Sequence, residues 1–336
     1  MSPPLTVVHF HRRPLAGYVS IERLFDGLRQ AMPADTECVT HICPHFSKAV
    51  WPRLLNMMDA ARRQGQINHI TGDVHYLALA LNRRRTLLTI HDCAALRRLT
   101  GWRRAVLKLF WFTWPVRCAA LVTVVSETTR QELLHELQCD PAKIRVVPNC
   151  VGPEFVPVLR PFAITAPEVL HLGTAPNKNL ERLIPALAGL SCRLRIVGHL
   201  SSAQSAMLSA SGIPYTNLPS ATDQEVLLAF QNCDLVFFAS TDEGFGLPIL
   251  EAQATGRPVI TSRVSSMPEV AGAGACLVDP FDVAAIRQGI LQVCQDAAYR
   301  QKIIAAGFEN VKRFSAPAIA ARYAELYREL ASPSAF

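Results

Sequence analysis

A chain of 336 residues that is 50% hydrophobic and 18% charged is not intrinsically disordered, and its length suits about two domains, each with a buried core. The net charge of +7 is unevenly spread: residues 1–165 carry 21 basic and 12 acidic side chains (net +9), residues 166–336 carry 13 and 15 (net −2). An anionic membrane or acceptor is therefore expected of the first half; nucleic acid is not, since the basic excess alone would support it.

The chain opens MSPPLTVVHFHRRP, with no apolar stretch after a basic start, so no secretory signal is expected. Ten cysteines without a C-x-x-C pair read as buried thiols of a reducing cytoplasm. Apolar runs are expected as strands at Leu5–Phe10, Cys38–Ile42, Ile67–Thr71, Leu87–Ile90, Leu121–Val125 and Ile144–Val147. They are continuous rather than alternating, and helix-period segments separate them. That pattern belongs to strands buried on both faces of a parallel sheet. His41, Cys43 and His45 alternate along the second run without a second ligand pair, so no metal site is read there.

Residues 101–117, GWRRAVLKLFWFTWPVR, combine four basic residues, three tryptophans and two phenylalanines. The charges prevent a membrane span. Two readings stay open: an interfacial helix with aromatic anchors and basic residues for anionic lipid, or an ordinary helix with its aromatics in the core. Ser126 is an expected N-cap for the following helix. The five prolines of 148–167 mark a linker. It divides the chain into domains 1–160 and 161–316, with a last helix from 317 that can pack on either.

The second half repeats the pattern, with runs at Val169–Leu172, Leu194–Val197, Leu235–Phe238, Val259–Thr261 and Ala275–Val278, so the fold class is α/β with two Rossmann-like parallel-sheet domains. A G-x-G-x-x-G after the first strand, a Walker sequence and a D-x-D are all missing, which disfavours a dehydrogenase, a P-loop enzyme and a metal-bridged donor. The strongest chemical signal is LVFFASTDEGFGLPILEAQATGRPVITS (235–262). A strand ends at Ser240, Glu243 stands in the loop, Gly244 and Gly246 permit close backbone approach, Pro248 suits a first helical turn and Gly256 a stop. A helix N-terminus after a glycine loop is an anion site. Glu243 and Glu251 straddle it and read as acceptors of sugar or ribose hydroxyls rather than as a glycosidase pair.

This segment resembles the E-x7-E signature of glycosyltransferase family 4, retaining enzymes of the GT-B fold in which two Rossmann-like domains face a cleft. TIHDCAAL (89–96), VTVVSETTR (122–130), VVPNCVGPEF (146–155), HLGTAPNKNLERLIPAL (171–187) and SSMPEVAGAGACLVDPFD (265–282) are similar to further segments of that family in the same order. The resemblance implies a C-terminal donor-binding domain and an N-terminal acceptor-binding one. In it Lys178 neutralises the donor diphosphate beside Gly173 and Thr174. Glu243 holds the donor sugar with Gly244, Phe245 and Gly246, the Leu247 amide faces phosphate, and Glu251 binds the ribose. His91 lies near the transferred sugar, and Gly17 belongs to a loop beside the diphosphate or acceptor. No metal or other cofactor is expected. GTAPNKNL (173–180) is similar to bacterial mannosyltransferases of polysaccharide assembly, which makes GDP-mannose the expected donor and a surface glycan or lipid-linked glycan the expected acceptor. The expected place is the cytoplasm or the inner face of the cytoplasmic membrane.

Three departures stand out. Thr174 and Asn177 occupy places where many members carry arginine, so Arg195 or another residue has to compensate. Cys150 replaces a linker glycine. A GT-B epimerase or phosphorylase, and a sugar-nucleotide-binding partner without catalysis, are the alternative readings.

Overall fold

In a computed structural model that describes residues 3–14 and 20–332, the first six apolar runs form one sheet. They are β1 (Leu5–His11), β2 (Thr36–Ile42), β3 (Ile67–Ile70), β4 (Thr86–Ile90), β5 (Leu121–Val124) and β6 (Ile144–Val146). All pairs are parallel, in the order β2-β1-β3-β4-β5-β6. Every residue of β3, β4 and β5 is buried, which is why these runs carry no polar alternation.

The second sheet contains β7 (Glu168–Leu172), β8 (Arg193–Val197), β9 (Tyr215–Leu218), β10 (Leu235–Phe238), β11 (Val259–Ser262) and β12 (Cys276–Val278). It is also parallel throughout, ordered β12-β11-β10-β7-β8-β9. β9 has no counterpart among the expected strands. Its sequence YTNL sits at a sheet edge, where Tyr215 and Thr216 are exposed and no apolar run is needed.

Two compact units result, one of residues up to Cys150 together with the chain from Ser315 onward, the other of Val151–Phe314. The division falls after Cys150 rather than at residue 160, and the last helix, Ala316–Ala331, belongs to the first unit. Cys150 is buried with Val147 and Ile319 and is absent from the positive-φ residues, so the left-handed turn that a glycine would offer there is not used. Proline-rich 148–167 is thus mostly the irregular start of the second unit.

The last helix is held by polar as well as apolar contacts. Ile319, Tyr323, Tyr327 and Leu330 pack into a cluster with Val7, Phe25 and Leu28. The Tyr327 hydroxyl is hydrogen-bonded to His69 Nδ1 at 2.7 Å and to His9 Nε2 at 3.0 Å. His69 Nε2 continues to Thr89 Oγ1 (2.7 Å), and Thr89 to Thr123 Oγ1 (2.7 Å).

Burial holds His9, His11 and His69 neutral; it pushes the His11 imidazole down to about 4, aided by the nearby Arg29, and that of His171 in β7 to about 4 as well. A lowered folded-state pKa means that the unfolded chain binds more protons, so this stability is complete above the ordinary histidine value of about 6.5 and is lost as pH falls from there toward 4. We expect the thermal midpoint to drop by several degrees between pH 7 and pH 5. A midpoint unchanged over that interval in calorimetry would refute neutral burial of these rings.

Candidate active site

The strand order of the second sheet reverses at β7. The chain steps from β7 to β8 and β9 on one side, then places β10 on the other. Loops leaving the carboxyl ends of two such strands diverge and open a crevice between them. Here they are residues 173–179 and 239–246.

Each loop has a shape that only its sequence allows. Gly173 has φ +85°, and a Cβ there would lie 2.9 Å from Lys178 Cγ, so the bare backbone makes room for the lysine stem. The chain then turns through a short 3₁₀ segment, Pro176–Lys178. Asn179 follows in the left-handed region at φ 70°, and its buried amide donates to the carbonyls of Ala239 (3.0 Å) and Pro280 (2.7 Å). The helix starts only at Leu180. Lys178 therefore ends a turn rather than opening a helix.

Opposite, Gly246 has φ +107° and caps the Leu247–Thr255 helix, where Pro248 occupies the first turn and Gly256 ends the last. A Cβ on Gly246 would meet Ile249 Cδ1 at 3.2 Å and Phe238 at 3.4 Å. Pro248 and Gly256 stand where the sequence puts the first turn and the stop, while the strand before them ends at Phe238 rather than Ser240. Glu251 lies in the second turn, half-buried, with its carbonyl accepting from the Thr255 hydroxyl at 3.0 Å.

The two loops meet through their polar side chains. Lys178 Nζ donates to Glu243 Oε1 at 2.5 Å and sits 4.9 Å above the Phe238 ring. Asn177 Nδ2 donates to the Asp242 carbonyl (3.0 Å) and to Glu243 Oε1 (3.3 Å), while its own carbonyl accepts from Thr241 N (2.8 Å). Asn177 thus ties the loops together in a place where an arginine would add charge. From behind, the Ser265 hydroxyl donates to the Glu243 carbonyl (2.8 Å), and the Ser266 hydroxyl lies 3.0 Å from the same carbonyl and 2.8 Å from that of Phe245. Phe245 itself turns inward against Phe314, ring centroids 5.8 Å apart, so only its backbone borders the crevice. Asn179, Ser265 and Ser266 were not singled out by the sequence; a serine pair just before Met267-Pro268 at a helix start was the available signal.

Thr174 does not face this pair. Its hydroxyl donates to the His199 carbonyl (2.6 Å) and its carbonyl accepts from Gln204 Nε2 (2.8 Å), which joins the loops after β7 and β8. Arg195 does not compensate for the missing arginine: it lies within β8, bound by Nε and Nη2 to Glu168 (2.7 and 3.2 Å), the first residue of β7 and thus at the other end of the strand from Gly173.

His91 belongs to the first unit, just beyond β4. Its Nε2–H donates to the Thr71 carbonyl at 2.8 Å, and burial lowers its pKa, so the ring is neutral with Nδ1 as an acceptor. Gly17 lies outside the described residues. Among the described residues no group of three His, Cys, Asp or Glu side chains is arranged to hold a metal ion, and no helix is long and apolar enough to cross a membrane.

Such a site, with a cation, a paired carboxylate and an open helix start at a sheet reversal, suits a sugar attached to an anionic leaving group. Comparison with known proteins agrees. A family model described as "Glycosyl transferases group 1" matches residues 164–310, and one described as "Glycosyltransferase Family 4" matches residues 38–155. The chain is 30% identical over 220 residues to O-antigen chain mannosyltransferase B of Escherichia coli, 59% of this chain and 57% of that protein. It is 26% identical over 223 residues to the serotype-specific mannosyltransferase WbdA of the same species, 59% of this chain and 27% of the relative. The match thus spans from about a quarter to just over half the length of these relatives. Among solved structures, Anabaena HepE, crystallised with UDP and glucose, superposes with a TM-score of 0.77 at 17% identity, covering 96% of this chain and 99% of that one. With one family model on each sheet, the two together covering most of the chain, it belongs to glycosyltransferase family 4, and the whole-chain superposition gives it the GT-B fold.

Proposed function

We propose that the protein moves mannose from GDP-mannose to a glycan or lipid-linked glycan during cell-surface polysaccharide assembly, with retention of anomeric configuration. The observation that carries this reading is the Lys178–Glu243 contact beside the Gly246-capped helix. When a nucleotide sugar enters, its diphosphate replaces Glu243 as the partner of Lys178, and Glu243 turns to the sugar hydroxyls. The bond between the sugar and the diphosphate oxygen breaks, the acceptor hydroxyl oxygen bonds to the same carbon from the same face, and its proton leaves with the diphosphate. Negative charge grows on the leaving group, where Lys178 and the helix start stabilise it more in the transition state than before it. This chain supplies that charge without a metal ion. The mannosyltransferase relatives support the sugar, and the absence of a D-x-D supports the metal-free donor site. Peripheral attachment to the anionic inner face of the membrane through residues 101–117 completes the reading.

A thermal-shift screen of UDP, GDP, CDP and dTDP sugars tests it. A ligand at 100 times its Kd stabilises the folded state by about 2.7 kcal/mol. GDP-mannose is expected to raise the midpoint most, and added acceptor to turn binding into release of GDP. A rise with UDP-glucose alone would replace the donor, and a changed sugar nucleotide without acceptor would make the protein an epimerase.

A further inference from the structure

The first sheet has its own reversal, between β1 and β3, where the chain passes from β2 on one side to β3 on the other. Beyond the carboxyl ends of these strands lies an open groove of about 1150 Å³, above the roughly 300–1,000 Å³ of a drug-sized ligand's pocket. One wall is the Val50–Arg62 helix, with Val50, Leu54 and Met57. The other is the 101–112 segment, with Trp102, Val106 and Phe110. Several of these apolar side chains are exposed: Val50 is 70%, Leu54 42%, Trp102 73% and Val106 47% accessible.

The floor between the walls is built and fixed. Residues Lys108–Thr113 form a π-helical turn between two α-helical stretches, an irregularity that is rare in helices and frequent at functional sites. Within it the Trp111 carbonyl accepts from His75 Nδ1 (2.8 Å) and the Trp111 indole donates to Asp73 Oδ1 (3.1 Å). Arg53 stacks on the Trp111 ring at 4.8 Å. Buried Tyr76 is held by Asn56 Nδ2 (2.9 Å) and the Ser47 hydroxyl (2.8 Å).

Charge surrounds this apolar trough on one side of the balance. Arg13, Lys48, Arg53 and Arg103 line the groove, and none of them has a carboxylate within ion-pair distance among the described residues. The two lining carboxylates are already engaged, Asp73 by Trp111 and Asp92 by the Ala94 amide at 2.8 Å. Paired aliphatic and aromatic walls under unpaired cations match one kind of molecule, an aliphatic chain carrying a phosphate.

We propose that this groove binds the lipid phosphate of a lipid-linked acceptor, with the chain between the Val50–Arg62 helix and the 101–112 segment and the phosphate on Arg13, Lys48, Arg53 and Arg103. The assignment rests on the transferase reading and narrows its acceptor to the lipid-linked class. Both walls then serve one molecule, which is why their aromatic and aliphatic side chains stay exposed on facing elements.

Intrinsic fluorescence tests it on the full chain, because three of the four tryptophans, Trp51, Trp102 and Trp111, lie on these two elements and Trp114 follows two residues beyond the second. Monomeric farnesyl phosphate, below its micellar concentration, is expected to shift the emission saturably. Farnesol is expected to bind at least tenfold more weakly, and inorganic phosphate not to shift it. Leu54→Glu and Val106→Glu, both at exposed positions that tolerate charge, are expected to weaken farnesyl phosphate at least tenfold while leaving the GDP-mannose thermal shift unchanged. Lys48→Glu with Arg53→Glu is expected to bring farnesyl phosphate down to the level of farnesol. No saturable shift, equal binding of farnesol and farnesyl phosphate, indifference to both wall variants, or a response to phosphatidylglycerol vesicles alone would each overturn the proposal. Since donor binding is read separately, failure of the groove and failure of the transferase reading are distinct results.

Discussion

Lys178→Ala is expected to lower kcat by a factor of roughly 10² to 10³, the usual effect of removing one preorganised charge stabiliser from a transition state, while the fold survives. The argument starts from where Lys178 is anchored. Its stem fills the space left by Gly173, the turn behind it is stapled by Asn179 to the loop that follows β10, and its ammonium meets Glu243. Only the ammonium is specific to charge; Asn179 fixes the turn without it. Both members of the ion pair are partly exposed, so its loss costs little stability, about 0–1 kcal/mol for a solvent-screened pair.

Glu243→Ala should differ in kind. It frees Lys178 for the diphosphate, so GDP should bind as well or better, yet the sugar loses its carboxylate and transfer fails. The two variants thus separate leaving-group stabilisation from sugar positioning. Steady-state kinetics with GDP and GDP-mannose binding side by side measure this. Wild-type turnover in Lys178→Ala with an intact thermal midpoint would remove the lysine from the mechanism.

Much of this site is legible in the sequence, because its decisive features are local. A strand followed by Glu243, two glycines and Pro248 dictates a loop and a helix start wherever it is placed, and Gly246 and Gly256 hold their expected positions. What escaped the sequence depends on distant partners. The meeting of Asn177 with Asp242 and Glu243 joins residues 65 and 66 positions apart, and only the strand order β10-β7 makes them neighbours. Nothing local to Lys178 says that Asn179 will adopt a left-handed conformation to reach two carbonyls of other loops. Arg195 looked available for phosphate because the alternation of β8 does not reveal that Glu168 claims it. β9 was missed for the opposite reason: at an edge, the hydrophobic signal that marks the other strands is not required.

The last helix carries the second large effect, on stability. Tyr327→Ala is expected to cost about 5 kcal/mol, since removing a fully buried aromatic side chain costs about 3–5 kcal/mol and loss of its buried hydroxyl adds about 1–3. Tyr327 is fully buried among Val7, Phe25 and Leu28, and its hydroxyl serves His9 and His69, residues 318 and 258 positions earlier. No water replaces that hydroxyl at no cost, because both imidazoles are themselves inaccessible. For a unit of this size such a loss corresponds to a fall in Tm on the order of 10–20 °C. Tyr327→Phe separates the two contributions: it keeps the ring, loses the hydroxyl, and should cost only about 1–3 kcal/mol. Because all four tryptophans lie in the first unit, their emission during urea or thermal unfolding reads this unit directly. If Tyr327→Phe and Tyr327→Ala unfold together within error, packing of the ring contributes nothing and the helix is held by its hydrogen bonds. If Tyr327→Ala unfolds with the wild type, the C-terminal helix does not stabilise the first unit at all.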